Sequence, residues 1–173
     1  MNTPLPACRT TGDALALFDR LEPATIDFLL GAWSGDEFPS GHPLDGALAA
    51  YGWRGKRFDS AEQVHPLLFG AAAREFAVRP RALWRGIPLL LKFPALKAAP
   101  FAALARTLLP LLAARRPHAR LRLLQFRGRI GAAMLYDDVP ILDVFRRVDD
   151  DTALGLMDLK GLEQPFFFLL RRR

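Results

Sequence analysis

Five segments decide the fold: LRLLQF (121–126), RIGAAMLYD (129–137), VPILDVFRRV (139–148), TALGLMDLK (152–160) and PFFFLLRRR (165–173). Each is apolar and of strand length, and the turn residues 127–128, 137–138, 149–151 and 161–164 separate them. Connections this short join antiparallel neighbours. Upstream, GWRGKRFD (52–59) and the regions 65–69 and 75–79 read as three further strands. ATIDFLLGAWSGDEF (24–38) reads as the first strand of all, and PSGHPLDG (39–46) as a turn leading to a brief helix at 44–51. So many antiparallel strands close into a β-barrel or a strongly curved half-barrel.

Two helical regions punctuate this pattern. DALALFDRLE (13–22) places Leu15, Leu17, Phe18 and Leu21 at near-helical spacing, with Thr10 or Thr11 to cap it and Pro23 to stop it. Between the strands, about 81–116, lies a helical insert. Leu83, Ile87, Leu90 and Leu91 form one stripe, and Phe101, Leu104, Ala105, Leu108 and Leu112 a second. Pro88, Pro94, Pro100 and Pro110 divide the insert into short, kinked helices. The expected fold class is α+β, mostly antiparallel β, as one domain with the insert over the barrel's open end like a lid.

Composition narrows the function classes. At 173 residues and 51% hydrophobic, the chain can bury a core and is not intrinsically disordered. A single cysteine, Cys8, excludes a disulfide framework and a multi-cysteine zinc site. The N-terminus lacks a basic segment followed by an apolar run, so a cytoplasmic address is expected. The apolar region 83–114 is broken by four prolines and carries Arg85, Lys92, Lys97 and Arg106, which does not suit a spanning helix.

The charge is dipolar. Between Glu75 and Asp137 there is no acidic residue, and those 61 positions hold 12 basic ones. Against +6 for the chain, the other 112 residues carry a net −6. Such a layout suits an anionic surface or ligand, although arginine on solvated faces gives the same count. Nucleic acid is not the expected partner, because the basic residues alternate with Leu, Ala and Pro rather than with exposed aromatics. The mixture fits amphipathic helices that cover a cavity or touch a membrane.

The candidate site residues are few. Trp33 and Trp53 are large enough to close a barrel or line its cavity. His42 sits in a glycine- and proline-rich turn, where it can meet a ligand or simply brace the turn. His65 is comparable, but spacing gives these two histidines no third ligand, and no metal is expected. In the C-terminal strands, alternation puts Asp143 beside Ile141 and Phe145, and Arg146 beside Leu142 and Val144. Asp158 and Lys160 share a face opposite Met157 and Leu159. If the sheet closes, some of Tyr136, Asp143, Arg146, Asp158 and Lys160 point inward, where Arg or Lys binds an anion and a buried Asp serves as an acid. An outward face laced with ion pairs is the alternative. There is no phosphate-binding loop, nucleophile elbow or dinucleotide-binding glycine pattern.

Gly31-Ala32-Trp33-Ser34-Gly35 resembles the motif that names the GXWXG protein family, and so does its context, ALALFDRLEP, SGHPLDG, GWRGKRF and VHPLLF. GAAMLYDDVPILDVFRRVDDDTALGLMDLKG resembles the domain of unknown function that accompanies GXWXG in the same chains. The two blocks span roughly 14–70 and 119–172, with the insert between them. A helix feeding a first strand with G-x-W is also similar to the calycin barrels, the lipocalins and fatty-acid-binding proteins. That resemblance implies a calycin-like β-barrel with a basic residue of the last strand, here Arg171, Arg172 or Arg173, over Trp33. Nitrobindin-type haem barrels share a GXWXG run, but their C-terminal histidine has no counterpart after His118, so no cofactor is expected.

Together these readings imply binding of a small hydrophobic, anionic ligand, such as a fatty acid or an isoprenoid, in the barrel. An isomerase or cyclase acting on a hydrophobic substrate is the alternative, with Asp143, Asp158, Tyr136 or His42 as acid or base. A third reading is a peripheral module on an anionic membrane surface.

Overall fold

The computed structural model describes residues 5–6, 8–71 and 73–173. Helix α1 (Thr11–Arg20) is followed by β1 (Glu22–Pro23), α2 (Ile26–Leu29), β2 (Gly31–Glu37), α3 (Ala47–Tyr51), β3 (Trp53–Phe58), β4 (Val64–Ala71) and β5 (Arg74–Ala77). The insert contains α4 (Pro80–Trp84), α5 (Ile87–Lys92) and α6 (Ala99–Leu108), with 3₁₀ turns at Pro94–Lys97 and Leu109–Leu112. Then come β6 (Ala119–Phe126), β7 (Arg129–Tyr136), β8 (Ile141–Arg147), β9 (Thr152–Leu159) and β10 (Phe166–Arg172).

Eight strands close on themselves in the order β2-β3-β4-β6-β7-β8-β9-β10, all antiparallel, because β10 pairs back onto β2. The sheet is therefore a full barrel, and closure removes its edges. β1 and β5 are short additions beside β8 and β4. The β4–β6 seam is thin, with Val64 opposite Ala119 as its one ladder pair, and the insert leaves and re-enters the barrel beside it.

Alternation along each strand divides the apolar residues into two cores. Trp33, Trp53, Phe58, Leu121, Met134, Phe145, Phe168 and Leu170 fill the interior. Val144, Leu154, Leu156, Phe167 and Leu169 face outward under α1, whose Ala14, Leu17 and Phe18 are buried against them. Burying a side chain such as Leu17 or Phe18 contributes about 1.5–3 kcal/mol. A capping box starts α1: the Thr10 hydroxyl accepts from the Asp13 N–H at 3.1 Å, and the Asp13 carboxylate accepts from the Thr10 N–H at 3.1 Å.

The expected first strand is shorter than its apolar run. Residues 26–29 are helical because the Thr25 hydroxyl accepts from the Phe28 N–H at 3.1 Å and Asp27 lies in the first turn, so the strand begins only at Gly31. β2 begins and β10 ends at one end of the barrel, which Trp33 and α2 close. At the other end Leu83, Trp84, Ile87, Leu90 and Leu91 of the insert pack with Leu44 and Leu48 over the interior core. The insert is pinned there by the Tyr51 hydroxyl, which donates to the Leu96 carbonyl (2.9 Å), and by Lys97 Nζ, which donates to the Pro43 and Asp45 carbonyls. Among the described residues, no helix is long and apolar enough to cross a membrane.

Candidate functional site

The barrel interior contains a buried ionisable cluster. Lys56 Nζ lies 2.8 Å from Asp143 Oδ2 and donates to the Pro66 carbonyl at 3.1 Å. The Tyr136 hydroxyl is 3.4 Å from both Lys56 Nζ and Asp143 Oδ2. Rings surround the ammonium, with centroids at 4.7 Å (Phe168), 5.5 Å (Trp53) and 5.7 Å (Tyr136). Trp53 and Phe145 each meet Phe168 edge to face.

Strand geometry explains each position. On β8, Asp143 shares the inner face with Phe145, and its ladder partners are Met134 and Met157. On β7, Tyr136 shares that face with Ala132 and Met134. Lys56 reaches the interior for a different reason. Strict alternation from Trp53 would point Lys56 outward, but the β3–β4 register shifts on both sides of Gly55, and this β-bulge brings Trp53 and Lys56 to the same face. Gly55 has φ +129, and a Cβ there would stand 2.0 Å from the Trp33 carbonyl oxygen. Only glycine fits that bulge. The second glycine of GAWSG makes room for the Trp53 indole, since a Cβ on Gly35 would lie 2.1 Å from its ring.

The electrostatics are those of a desolvated pair. Burial pushes the Asp143 carboxyl up, with Lys56 and Tyr136 opposing. Burial pulls the Lys56 ammonium down, with Asp143 opposing. Tyr136 is held well above the usual phenol range by burial and then by the Asp143 charge. Whichever partner holds the shared proton, Lys56 and Asp143 together carry no net charge. Two buried polar atoms of this cluster have no hydrogen-bond partner: Asp143 Oδ1, an acceptor, and Nε1 of the Trp53 indole whose ring flanks the ammonium, a donor. Both atoms are sealed from solvent by the surrounding rings, so a group that both donates and accepts, such as a hydroxyl, reaches them only if the aromatic packing parts.

Trp33 has another task. Its indole N–H donates to the Leu29 carbonyl at 2.7 Å, and the Arg172 guanidinium lies over its ring at 4.3 Å. Arg172 also donates to the Phe28 and Leu30 carbonyls, tying the last strand to α2. Of the three C-terminal arginines, Arg172 is the one whose register places it over the tryptophan.

The remaining predicted residues stand elsewhere. His42 is buried, but its Nδ1 accepts from the Leu44 N–H at 3.0 Å and its ring packs edge to face on Phe166, 5.4 Å away. Burial lowers its pKa. Arg146 does not point inward. It lies outside the barrel wall beneath α1, its guanidinium 4.7 Å from the Phe18 ring centroid, because it shares the outer face with Val144. Asp158 and Lys160 also lie on the outside, lining an open groove with Val139 and Pro140 at the β7–β8 turn. Closure of the sheet, not alternation, decided which face became interior. His65 and His118 lean on Asp59 (3.4 Å) and Asp138 (2.8 Å). Among the described residues, no group of three His, Cys, Asp or Glu side chains stands close enough to hold a metal ion.

Sequence reasoning did not single out Lys56. Its signal was the lone glycine beside it in a strand pattern, which is a bulge signature.

The comparisons agree with this architecture. The GXWXG protein model matches residues 16–73, and a domain of unknown function (DUF4334) matches residues 117–172. A solved structure described as "Crystal structure of protein from Thermomonospora curvata" is 33% identical, with a TM-score of 0.67 over 94% of this chain and 86% of that one. No protein of curated function matches. With both motif blocks and a relative alike across nearly its full length, the chain belongs to the GXWXG protein family.

Proposed function

We propose that the barrel, by parting the side chains that fill its interior, binds a small hydrophobic molecule carrying one uncharged polar group, with that group held between Asp143 Oδ1 and Trp53 Nε1. The observation that carries this reading is the pair of unpartnered buried polar atoms within an aromatic lining. Leaving both unpaired costs about 1–3 kcal/mol each, which a guest hydroxyl recovers. Because Asp143 already neutralises Lys56, an isoprenoid alcohol suits the site better than a fatty-acid carboxylate. Entry is by the thin β4–β6 seam under the insert helices.

Organic extraction of the purified protein followed by mass spectrometry tests the first half of the proposal. Titration with farnesol and with palmitate, read by tryptophan fluorescence, tests the second. Farnesol is expected to bind more tightly than palmitate, and Trp53→Phe to weaken it about fivefold, one hydrogen bond's worth. Clean extracts together with no binding of either probe refute the proposal.

A second reading is acid–base catalysis, an isomerase or cyclase on such a ligand. It is favoured by the convergence of Lys56, Tyr136 and Asp143 in one apolar interior, with the Asp143 carboxyl pushed up by burial. Conversion of the bound molecule, lost in Asp143→Asn while binding persists, separates the two.

A further inference from the structure

The helical insert covers the barrel with one side and leaves the other side greasy. On α6, Ala102 is buried, as is Leu109 just after it, while Phe101, Leu104 and Leu108 run along an exposed edge. Leu104 is 60% exposed and Leu111, in the following turn, 74%. Leu89 and Phe93, on and just after α5, are exposed as well. Isolated exposed leucines are common, but Phe101, Leu104, Leu108 and Leu111, at spacings of three and four along one helix and its following turn, form an apolar stripe that monomers seldom present to water.

Among the described residues, six cations of the same insert have no carboxylate partner, while Lys97 donates to the Pro43 and Asp45 carbonyls. Arg81, Arg85, Lys92, Arg106, Arg115 and Arg116 are exposed, and among the described residues none forms an ion pair. The next stretch is different. Arg120, Arg122, Arg127 and Arg129 each pair with a carboxylate: Asp137, Glu62, Asp19 and Glu22. Absence of any acidic residue from 76 to 136 means the insert has no carboxylate of its own.

We infer that this face of the insert docks on an anionic phospholipid bilayer, with the leucines and phenylalanines in the interface and the cations on the headgroups. Charge complementarity selects that occupant. A second copy packed face to face would set six unpaired cations against six more with no carboxylate between them, and the carboxylates of the rest of the chain that pair with Arg120, Arg122, Arg127 and Arg129 are already engaged. Nucleic acid would satisfy the cations and leave the apolar edge in water. A bilayer with anionic headgroups accepts both. This docking stands on exposure and charge alone and does not depend on a ligand in the barrel.

Flotation of the full chain with phosphatidylcholine vesicles, with and without phosphatidylglycerol, tests it. The protein is expected to float with the mixed vesicles, not with phosphatidylcholine alone, and less as salt rises. Leu104→Asp/Leu111→Asp, at exposed positions, should lower binding at least tenfold with circular dichroism unchanged. Arg115→Gln/Arg116→Gln should lower it by about fivefold per charge removed and flatten the salt dependence. No flotation with the mixed vesicles overturns the inference. So does undiminished flotation of the double aspartate variant, or self-association that this variant abolishes in a protein that ignores vesicles.

Discussion

Replacing Lys56 by methionine puts the interior cluster to its sharpest test. Methionine fills most of the lysine volume, so packing changes little, but Asp143 is left fully buried with one oxygen already unpartnered and the other deprived of its ammonium. Removing one member of a buried ion pair costs about 3–5 kcal/mol, far more than the pair itself contributes, because the surviving charge stays desolvated. For a chain of this size that lowers Tm by about 6–20 °C. The loss should depend on pH with a definite sign. In the variant the folded-state pKa of Asp143 lies above the unfolded value of about 3.9, so the folded protein holds the proton more tightly. The loss relative to the parent is therefore smallest below the unfolded pKa and grows as pH rises towards the folded pKa of Asp143, by up to about 1.4 kcal/mol per pH unit. Lys56→Met/Asp143→Leu removes both charges and should regain most of the loss. Urea unfolding followed by circular dichroism at several pH values measures each term. A loss below about 1 kcal/mol for Lys56→Met, or a double variant as unstable as the sum of the singles, refutes the description of a desolvated and mutually dependent pair.

Four further outcomes follow from the geometry. Gly55→Ala forces a Cβ onto the Trp33 carbonyl at positive φ and should cost roughly 3 kcal/mol or more, seen as low soluble yield or a steep drop in Tm. Arg172→Ala uncovers the Trp33 ring and frees the Phe28 and Leu30 carbonyls, and a loss of about 1–2 kcal/mol with a changed tryptophan emission is expected. Arg146→Met removes two buried donor nitrogens without partners but also the long Nη2 bond to the Phe126 carbonyl and the stacking on Phe18, so the terms offset and unfolding free energy should stay within about 1 kcal/mol of the parent. His42 and His65 are both held below the ordinary imidazole value by burial, so the unfolded chain takes up protons first as pH falls below about 6.5. Acidification through that range should destabilise the fold, and His42→Gln should flatten the dependence.

What the chain declares locally and what it settles only by folding can be separated residue by residue. Five strand-length runs with short polar turns announce a meandering antiparallel sheet, and the prolines of the insert announce short helices, because both signals lie within a few consecutive residues. That Trp33 lies beneath a cation of the last strand was implied by the resemblance of the G-x-W start to the calycin barrels, and register then chose Arg172. Alternation also sorted Asp143 and Arg146 onto opposite faces correctly, but a strand cannot say which face will become the inside. Pairing of β10 with β2 decided that, placing Asp143 among aromatic rings and Arg146, Asp158 and Lys160 on the outer wall. Lys56 was hidden for a related reason. Its direction depends on an extra residue absorbed at Gly55, a bulge forced by the close approach of β3 to the Trp33 backbone. Periodicity is a property of one strand and is written in the sequence. The meeting of Lys56, Tyr136 and Asp143, 80 and 7 positions apart along the chain, depends on barrel closure and register, which arise only when all the strands pair at once.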